Sequence, residues 1–433
     1  MAPTAVVMNM FYTGLGIARS LGEHGIPVIG LTAQRGIYGN FTRYARVRRA
    51  PDSREQPEAL LEYLASLGEE LTSGAILFPT RDDDVLFLDR HRERLSRQFL
   101  LAIPESSALQ ACLDKSETYR WAQSAGIPSP RSWSIVDKQD LIRVAPEATF
   151  PCVLKPVSAH HWRIGANWRM VGSRKAIPVF TPEQLFAEYE TIACAESRAL
   201  LQEMVPGGDD CLWIAACYLN RDSRFVAGFT AQKLVQVPEG FGTGCIVQTV
   251  DRPELLARAA CLLESMHFSG IAEVEFKRDP DAGEYKLIEV NPRPWDQHRL
   301  GKICGVDLIR IAYSDLAGLT LPPIPKQTTG EKWVAEDVFC WEFLRSLWRG
   351  DGKFRSLLRL AHGRRIYPIW SIVDPLPMIG FLAARFGPEL MGTLWRHLRS
   401  LTSRSASKRR LHNRGLSYEN LEKAKCNKLP NGS

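Results

Sequence analysis

Two short runs, Gly270 to Phe276 and Glu284 to Val290, alternate apolar and polar residues on either side of the polar segment Lys277-Arg278-Asp279-Pro280-Asp281-Ala282-Gly283. This period of two, broken by Asp-Pro and Ala-Gly, predicts two strands closed into a hairpin. A hairpin can carry Glu275 and Glu289 onto one face of neighbouring strands. Asn291 adds a neutral oxygen and Arg293 a fixed positive charge at the strand end. Hard oxygen ligands of this kind hold Mg2+ against nucleotide phosphates, so the hairpin predicts phosphate chemistry.

The chain has 433 residues, too many for one typical core, and two or three domains are expected. Its 45% hydrophobic and 24% charged residues are ordinary for a soluble globular protein. The ten cysteines are scattered without a Cys-x-x-Cys pair, which suits reduced thiols better than disulfides or a zinc site. Met1 to Thr13 has no basic leader region, and no apolar run reaches transmembrane length. A cytoplasmic location is expected. The net charge of +7 is a tail property: 396–433 holds ten Lys or Arg against two Glu, a net of +8, which leaves −1 for 1–395. The near-neutral body predicts no specific nucleic-acid partner. The tail suits weak contact with an anionic surface, or a solvated terminus.

Along the chain, Thr4 to Asn9 and Ile26 to Leu31 read as strands around a helical segment, Ile17 to His24. Gly14-Leu15-Gly16 between them lacks the third glycine of a dinucleotide fingerprint and is expected to form a tight turn. Ala75 to Phe78 is a buried-type strand whose polar end, Pro79-Thr80-Arg81-Asp82, is placed to face a cleft. Lys115 to Ala125 reads as a helix closed by Gly126-Ile127-Pro128. Phe150 to Pro156 and Ala199 to Val205 read as strands, Leu212 to Leu219 with Phe225 to Gly228 as a hairpin, and Asp307 to Leu319 as a helix capped by Asp307. Pro322-Pro323-Ile324-Pro325 predicts a linker to an aromatic-rich extension. In that extension Leu376 to Phe386 suggests packing ahead of a membrane-surface helix, because Pro377 and Gly380 interrupt it.

The order of these pieces resembles the ATP-grasp superfamily over residues 5 to 320: the Lys115 helix, the strand ending on Lys155, Gln202-Glu203, then Glu275, Glu289, Asn291 and Arg293. The resemblance implies an α/β protein with the ATP-grasp fold. It would have an N-terminal Rossmann-like pre-ATP-grasp domain (1–108), an ATP-grasp domain (109–320; lid about 112–198, metal-binding part about 199–320), a small, mainly helical C-terminal extension (321–395) and a basic tail (396–433). It also implies that Lys115 and Lys155 reach ATP, a role their point charges suit. Glu203, Met204 and Val205 would lie at the hinge that reads adenine, and Asp209 or Asp210 would accept from the ribose; spacing leaves that choice open. Glu275, Glu289 and Asn291 would hold one or two Mg2+ (or Mn2+) ions, and Arg293 the activated carboxylate. Taken singly, two lysines or two strand acids are ordinary surface residues; Asn291 and Arg293 beside the acids are not explained that way.

Gln232-Lys233-Leu234-Val235 and Trp295-Asp296-Gln297-His298 look like pieces of biotin carboxylase, which makes Lys233 an active-site candidate. His298 is a weaker one, since a lone histidine is more often structural. Gly240, Gly242 and Gly244 suggest a loop over the substrate. The chain departs from the family after Lys155: Val157-Ser158-Ala159-His160-His161-Trp162-Arg163 stands where a glycine-rich loop is usual, and Gly165 is its first glycine. Adjacent histidines of a strand point oppositely, which argues against a metal pair. Arg163 or Lys175 would then take over phosphate contacts.

The expected function is that of a carboxylate–amine ligase of the D-aspartate ligase type, acting on a small-molecule carboxylate and an amine. The alternatives are a bicarbonate-activating carboxylase of the biotin carboxylase type and a non-catalytic ATP-binding regulator. A homodimer is compatible with either enzyme.

Overall fold

The computed structural model of the protein describes residues 2–157, 162, 167–172, 174–194 and 197–386. Met1–Met378 forms one compact unit; of the second, Ile379–Ser433, the described residues 379–386 are helical. The expectations for His160, His161, Arg163 and the tail lie outside the described residues.

Among the described residues the first unit holds three sheets. β1 (Thr4–Met8), β2 (Val28–Thr32), β3 (Arg46–Arg49), β4 (Ala75–Phe78) and β5 (Phe99–Leu101) form a parallel sheet in the order β3-β2-β1-β4-β5. β1, β2 and β4 are buried along their whole length, as a parallel sheet covered on both faces requires. The Gly14-Leu15-Gly16 segment is not a turn. It lies inside the helix Tyr12–Gly22, where the missing side chains permit close packing. A Cβ on Gly14 would sit 1.9 Å from the Asn9 carbonyl oxygen, and one on Gly16 would sit 2.6 Å from His298 Nε2.

β6 (Ser132–Ile135), β7 (Cys152–Pro156), β8 (Ile177–Val179) and β9 (Ala199–Glu203) form an antiparallel sheet in the order β6-β9-β7-β8. The third sheet takes β10 (Leu212–Leu219), β11 (Phe225–Val237), β12 (Thr243–Thr249), β13 (Gly270–Arg278), β14 (Tyr285–Asn291), β15 (Lys332–Val334) and β16 (Arg365–Ile366). Its order is β14-β13-β10-β11-β12-β15-β16. β11 runs nine residues past Gly228, where the sequence pattern suggested an end, and so takes Lys233 into the sheet. Residues beyond the proline-rich linker continue this sheet: Val334 pairs with Ile246 and Trp333 with Val247.

One apolar cluster joins the parallel sheet to the large one, uniting Ala5, Val7 and Ile17 with Tyr218, Phe229, Trp295 and Trp333. Burial of large aromatics at this junction, each worth a few kcal/mol, holds the two sheets together. Among the described residues the cysteines are free, and no helix is long and apolar enough to cross a membrane.

Candidate functional site

A cleft of about 430 Å³ opens where the three sheets meet, lined by Thr80 to Asp83, Lys115, Lys155, Lys175, Glu203 to Val205, Lys233, the 240–244 loop, Glu273, Glu275, Glu289, Asn291 and Arg293. Its floor is the β13–β14 hairpin. Glu275 pairs opposite Glu289 and Glu273 opposite Asn291, with a bulge between Glu275 and Phe276. The bulge frees the Ile288 carbonyl to accept from the Tyr119 hydroxyl at 2.6 Å.

Each acid is met differently. Lys233 Nζ, from β11, lies 2.6 Å from Glu275 Oε1, with both side chains nearly excluded from solvent. Burial opposes the lysine's charge, but Glu275 and Glu273 outweigh it and hold the ammonium above its ordinary range. Glu289 is a third exposed, towards the cleft, with Lys115 Nζ 4.0 Å away. Burial would raise its carboxyl, yet Lys115, Lys155 and Lys233 together hold it below the ordinary carboxylate range. Glu273 was not anticipated. It is 3% exposed, accepts from Asn291 Nδ2 at 3.0 Å and leaves Oε1 without a partner. Burial first, then the charge of Glu275, pushes its carboxyl up to about 8. The available signal was its position: two residues before Glu275 in a strand, it shares that residue's face.

The lysines come from the other walls. Asp114 caps the helix Lys115–Ser124 by accepting from the Ser116 and Glu117 amides, which sets Lys115 at its first turn. Lys155, next to last in β7, donates to Gln202 Oε1 at 2.7 Å; Gln202 Nε2 donates to the Tyr119 hydroxyl at 2.6 Å. A continuous hydrogen-bond chain thus runs from Lys155 to the hairpin bulge at Ile288. Burial lowers Lys155 to about 8. Lys175 Nζ reaches Thr243 Oγ1 at 3.1 Å, tying the four-stranded sheet to the glycine loop.

Arg293 Nε lies 2.6 Å from Asp82 Oδ1, and its Nη1 donates to the Pro294 carbonyl at 3.2 Å. Asp82 is presented by a rigid corner after β4: fully buried Asp84 accepts from the Thr80 and Arg81 amides, from Ser53 Oγ and from Asn9 Nδ2.

Glu203, Met204 and Val205, expected at a hinge, line the cleft, and two of their amides are spent: Glu203 N donates to Arg131 O at 2.8 Å and Met204 N to Pro151 O at 3.1 Å. Asp209 and Asp210 lie outside the cleft lining. Asp209 instead pins the glycine loop, accepting from the Gln236 amide at 2.8 Å and the Gly240 amide at 3.0 Å, because these loop donors would otherwise be unmet. Asp210 contributes its backbone carbonyl to Gln232 Nε2. His298 is buried with Nε2 3.1 Å from the Thr13 carbonyl, and burial lowers it to about 4, as for a packed neutral imidazole.

No three His, Cys, Asp or Glu side chains among the described residues converge as a ready-made metal cage. The donors nevertheless fit Mg2+, which typically takes one or two carboxylates and completes its shell with phosphates and water. Glu289 faces the cleft, Glu275 stands opposite it, and the orphaned Glu273 oxygen marks a place where a cation would offset crowded negative charge.

Residues 243–323 match the family described as carbamoyl-phosphate synthase L chain, ATP binding domain. D-aspartate ligase of Enterococcus faecium (strain Aus0004) is 23% identical over 323 residues, spanning 71% of this chain and 74% of that protein. The structure of biotin carboxylase from Campylobacter jejuni in a β,γ-ATP complex superposes with a TM-score of 0.60 at 16% identity, covering 76% of this chain and 74% of that one. The biotin carboxylase domain dimer of Hydrogenobacter thermophilus 2-oxoglutarate carboxylase, solved with MgADP, ADP and bicarbonate, gives 0.61 at 15% identity over 76% of this chain and 72% of that one. The chain therefore has the ATP-grasp fold. Within that class its sequence is similar to D-aspartate ligase, and its structural neighbours include biotin carboxylases.

Proposed function

We propose that the protein is an ATP- and Mg2+-dependent ligase that joins a small-molecule carboxylate to an amine. The observation that carries this reading is the division of the cleft. Lys115 and Lys155 bear on Glu289 at one end, Lys233 holds Glu275 in the middle, and Arg293 stands braced by Asp82 at the other.

Lys115 and Lys155 would hold phosphate oxygens, and the Val205 amide with the hinge carbonyls would read the adenine edge. Glu275, Glu289 and Asn291 would hold Mg2+, with Glu273 beside them. When bound, the metal supplies neutralisation of the charge that builds on the transferring phosphoryl group. Arg293 would grip the substrate carboxylate in a two-pronged contact. A carboxylate oxygen attacks the γ-phosphorus and ADP leaves; the amine then attacks the acyl carbon, phosphate departs, and the amine loses a proton. Exclusion of water by the glycine loop protects the acyl-phosphate from hydrolysis.

Purified protein with Mg2+, ATP and pooled amino, hydroxy and sugar acids tests this directly. ADP release that requires an amine, with a new amide mass, is expected. Nucleotide binding without turnover on any pool would replace the reading with a regulatory one, and turnover needing only bicarbonate would replace it with a carboxylase. Glu289→Gln is expected to abolish turnover while the protein still folds.

A further inference from the structure

The helix Glu336–Arg349 packs half-buried Val338, Phe339 and Phe343 against the main core. Its other face breaks the rule that solvent-facing stripes are polar. Trp341, Leu344 and Trp348, at spacings of three and four, fall on one side and are 61%, 60% and 89% exposed. The next exposed apolar group is tied to the same helix. The amides of Ile369 and Trp370 donate to Glu336 Oε1, and beyond them Ile372 stands 84% exposed. Asp374, 1% exposed and bonded to Arg19, anchors this loop, so it projects its apolar side chains from a fixed base.

Basic side chains outnumber acids around this face: 336–378 holds seven Lys or Arg against five Asp or Glu, a net of +2. Every acid of 336–378 is turned to a partner: Glu336 to the two amides, Asp337 to Tyr12, Glu342 to Arg345, Asp351 to Ser346, Asp374 to Arg19. Arg349, Arg355 and Arg359 are exposed, and the chain beyond, in 396–433, adds a net +8. A two-fold contact between copies of this face would set these arginines against one another. Tryptophans on a rim of cations match the boundary between anionic headgroups and acyl chains.

We propose that this C-terminal face docks the protein on the surface of an anionic lipid bilayer, with Trp341, Leu344 and Trp348 entering the headgroup boundary. The Lys353–Glu239 ion pair, at 3.1 Å, joins the docking region to the glycine loop of the cleft, so a bound membrane lies beside the route to the site.

The full-length protein is to be sedimented with vesicles of phosphatidylcholine alone or mixed with phosphatidylglycerol. Pelleting with the mixed vesicles only, a blue-shifted tryptophan emission and weakening as salt rises are expected. The double variant Trp341→Gln/Trp348→Gln should lose about tenfold or more in partitioning. Both side chains are exposed, and an unchanged thermal unfolding curve verifies that the variant folds. Equal pelleting of variant and wild type would overturn the proposal in favour of attraction by the basic tail alone. Absence of vesicle binding together with a dimer that Trp348→Gln dissociates, or with capture by polyglutamate, would overturn it in favour of a protein contact.

Discussion

The Lys233 ammonium and the Glu275 carboxylate meet at 2.6 Å on one face of the large sheet, although 42 residues separate them in sequence. β10 lies between their strands and pairs with both, so the contact crosses one intervening strand. Removing one partner of a buried ion pair leaves an uncompensated charge, at a cost of about 3–5 kcal/mol. Lys233→Met is expected to destabilise by that order and to reduce turnover by more than about a hundredfold. Adding Glu275→Gln should return much of the stability and none of the activity. Urea denaturation of the two variants beside wild type measures the difference.

Arg293 is positioned by Asp82, a residue of another sheet's end, across 211 positions of sequence. Asp82→Asn removes the charge but keeps an oxygen, so the guanidinium should lose orientation without leaving the cleft. The expected result is a rise of about tenfold in KM for the carboxylate with a smaller change in kcat. Arg293→Lys, which forfeits the planar fork, should cost more than Asp82→Asn. Steady-state kinetics with ATP saturating separates the two effects; equal KM values would show that the Asp82 contact is only structural.

Much of this arrangement was legible because strand periodicity is local. The facing of Glu275 and Glu289, the helix that presents Lys115, and the strand that ends near Lys155 all follow from patterns within a few residues. What depends on sheet order was not. Glu273 was passed over because two acids already satisfied the motif, and a third buried carboxylate makes sense only beside Lys233 and Asn291. Asp209 or Asp210 is expected to accept from the ribose, whereas the loop amides that Asp209 accepts from, at Gln236 and Gly240, are remote in sequence. Gly16 reads as part of a turn because the partner that requires it, His298, is remote in sequence. The extension after Pro325 read as separate since three residues, Lys332–Val334, are too short a signal for a strand that continues a sheet.

Lys155 predicts opposite pH slopes for binding and stability. Its folded value of about 8 lies below the ordinary lysine value of 10.5, with burial as the main cause. Between these two values the unfolded chain binds the extra proton, so this residue's contribution makes the folded state more stable as pH rises through 8. The protonated form is the one that attracts phosphate, so the dissociation constant for ATP should be flat below pH 8 and rise above it, approaching tenfold per unit. Calorimetric titration of wild type and Lys155→Met at pH 7 to 9.5 tests this; the variant should bind more weakly and show no such bend.

The buried pair Arg19–Asp374 predicts how the C-terminal segment of the first unit is held. Arg19 is fully buried: its Nε meets Asp374 at 2.9 Å, and Nη1 and Nη2 donate to the carbonyls of Pro368 and Ile369 at 2.8 and 2.7 Å. Asp374 also accepts from Thr42 Oγ1 and the Arg43 amide. Asp374→Ala would strand the guanidinium, costing about 3–5 kcal/mol, and would release the Trp370–Leu376 loop from its base. Because that loop carries exposed aromatic and aliphatic groups, its local opening should precede global unfolding. Limited chymotrypsin digestion is therefore expected to cut near Tyr367 and Trp370 in Asp374→Ala at protease levels that leave the wild type intact. If cleavage there is unchanged while the melting temperature falls, the pair stabilises the whole unit and does not anchor the loop in particular.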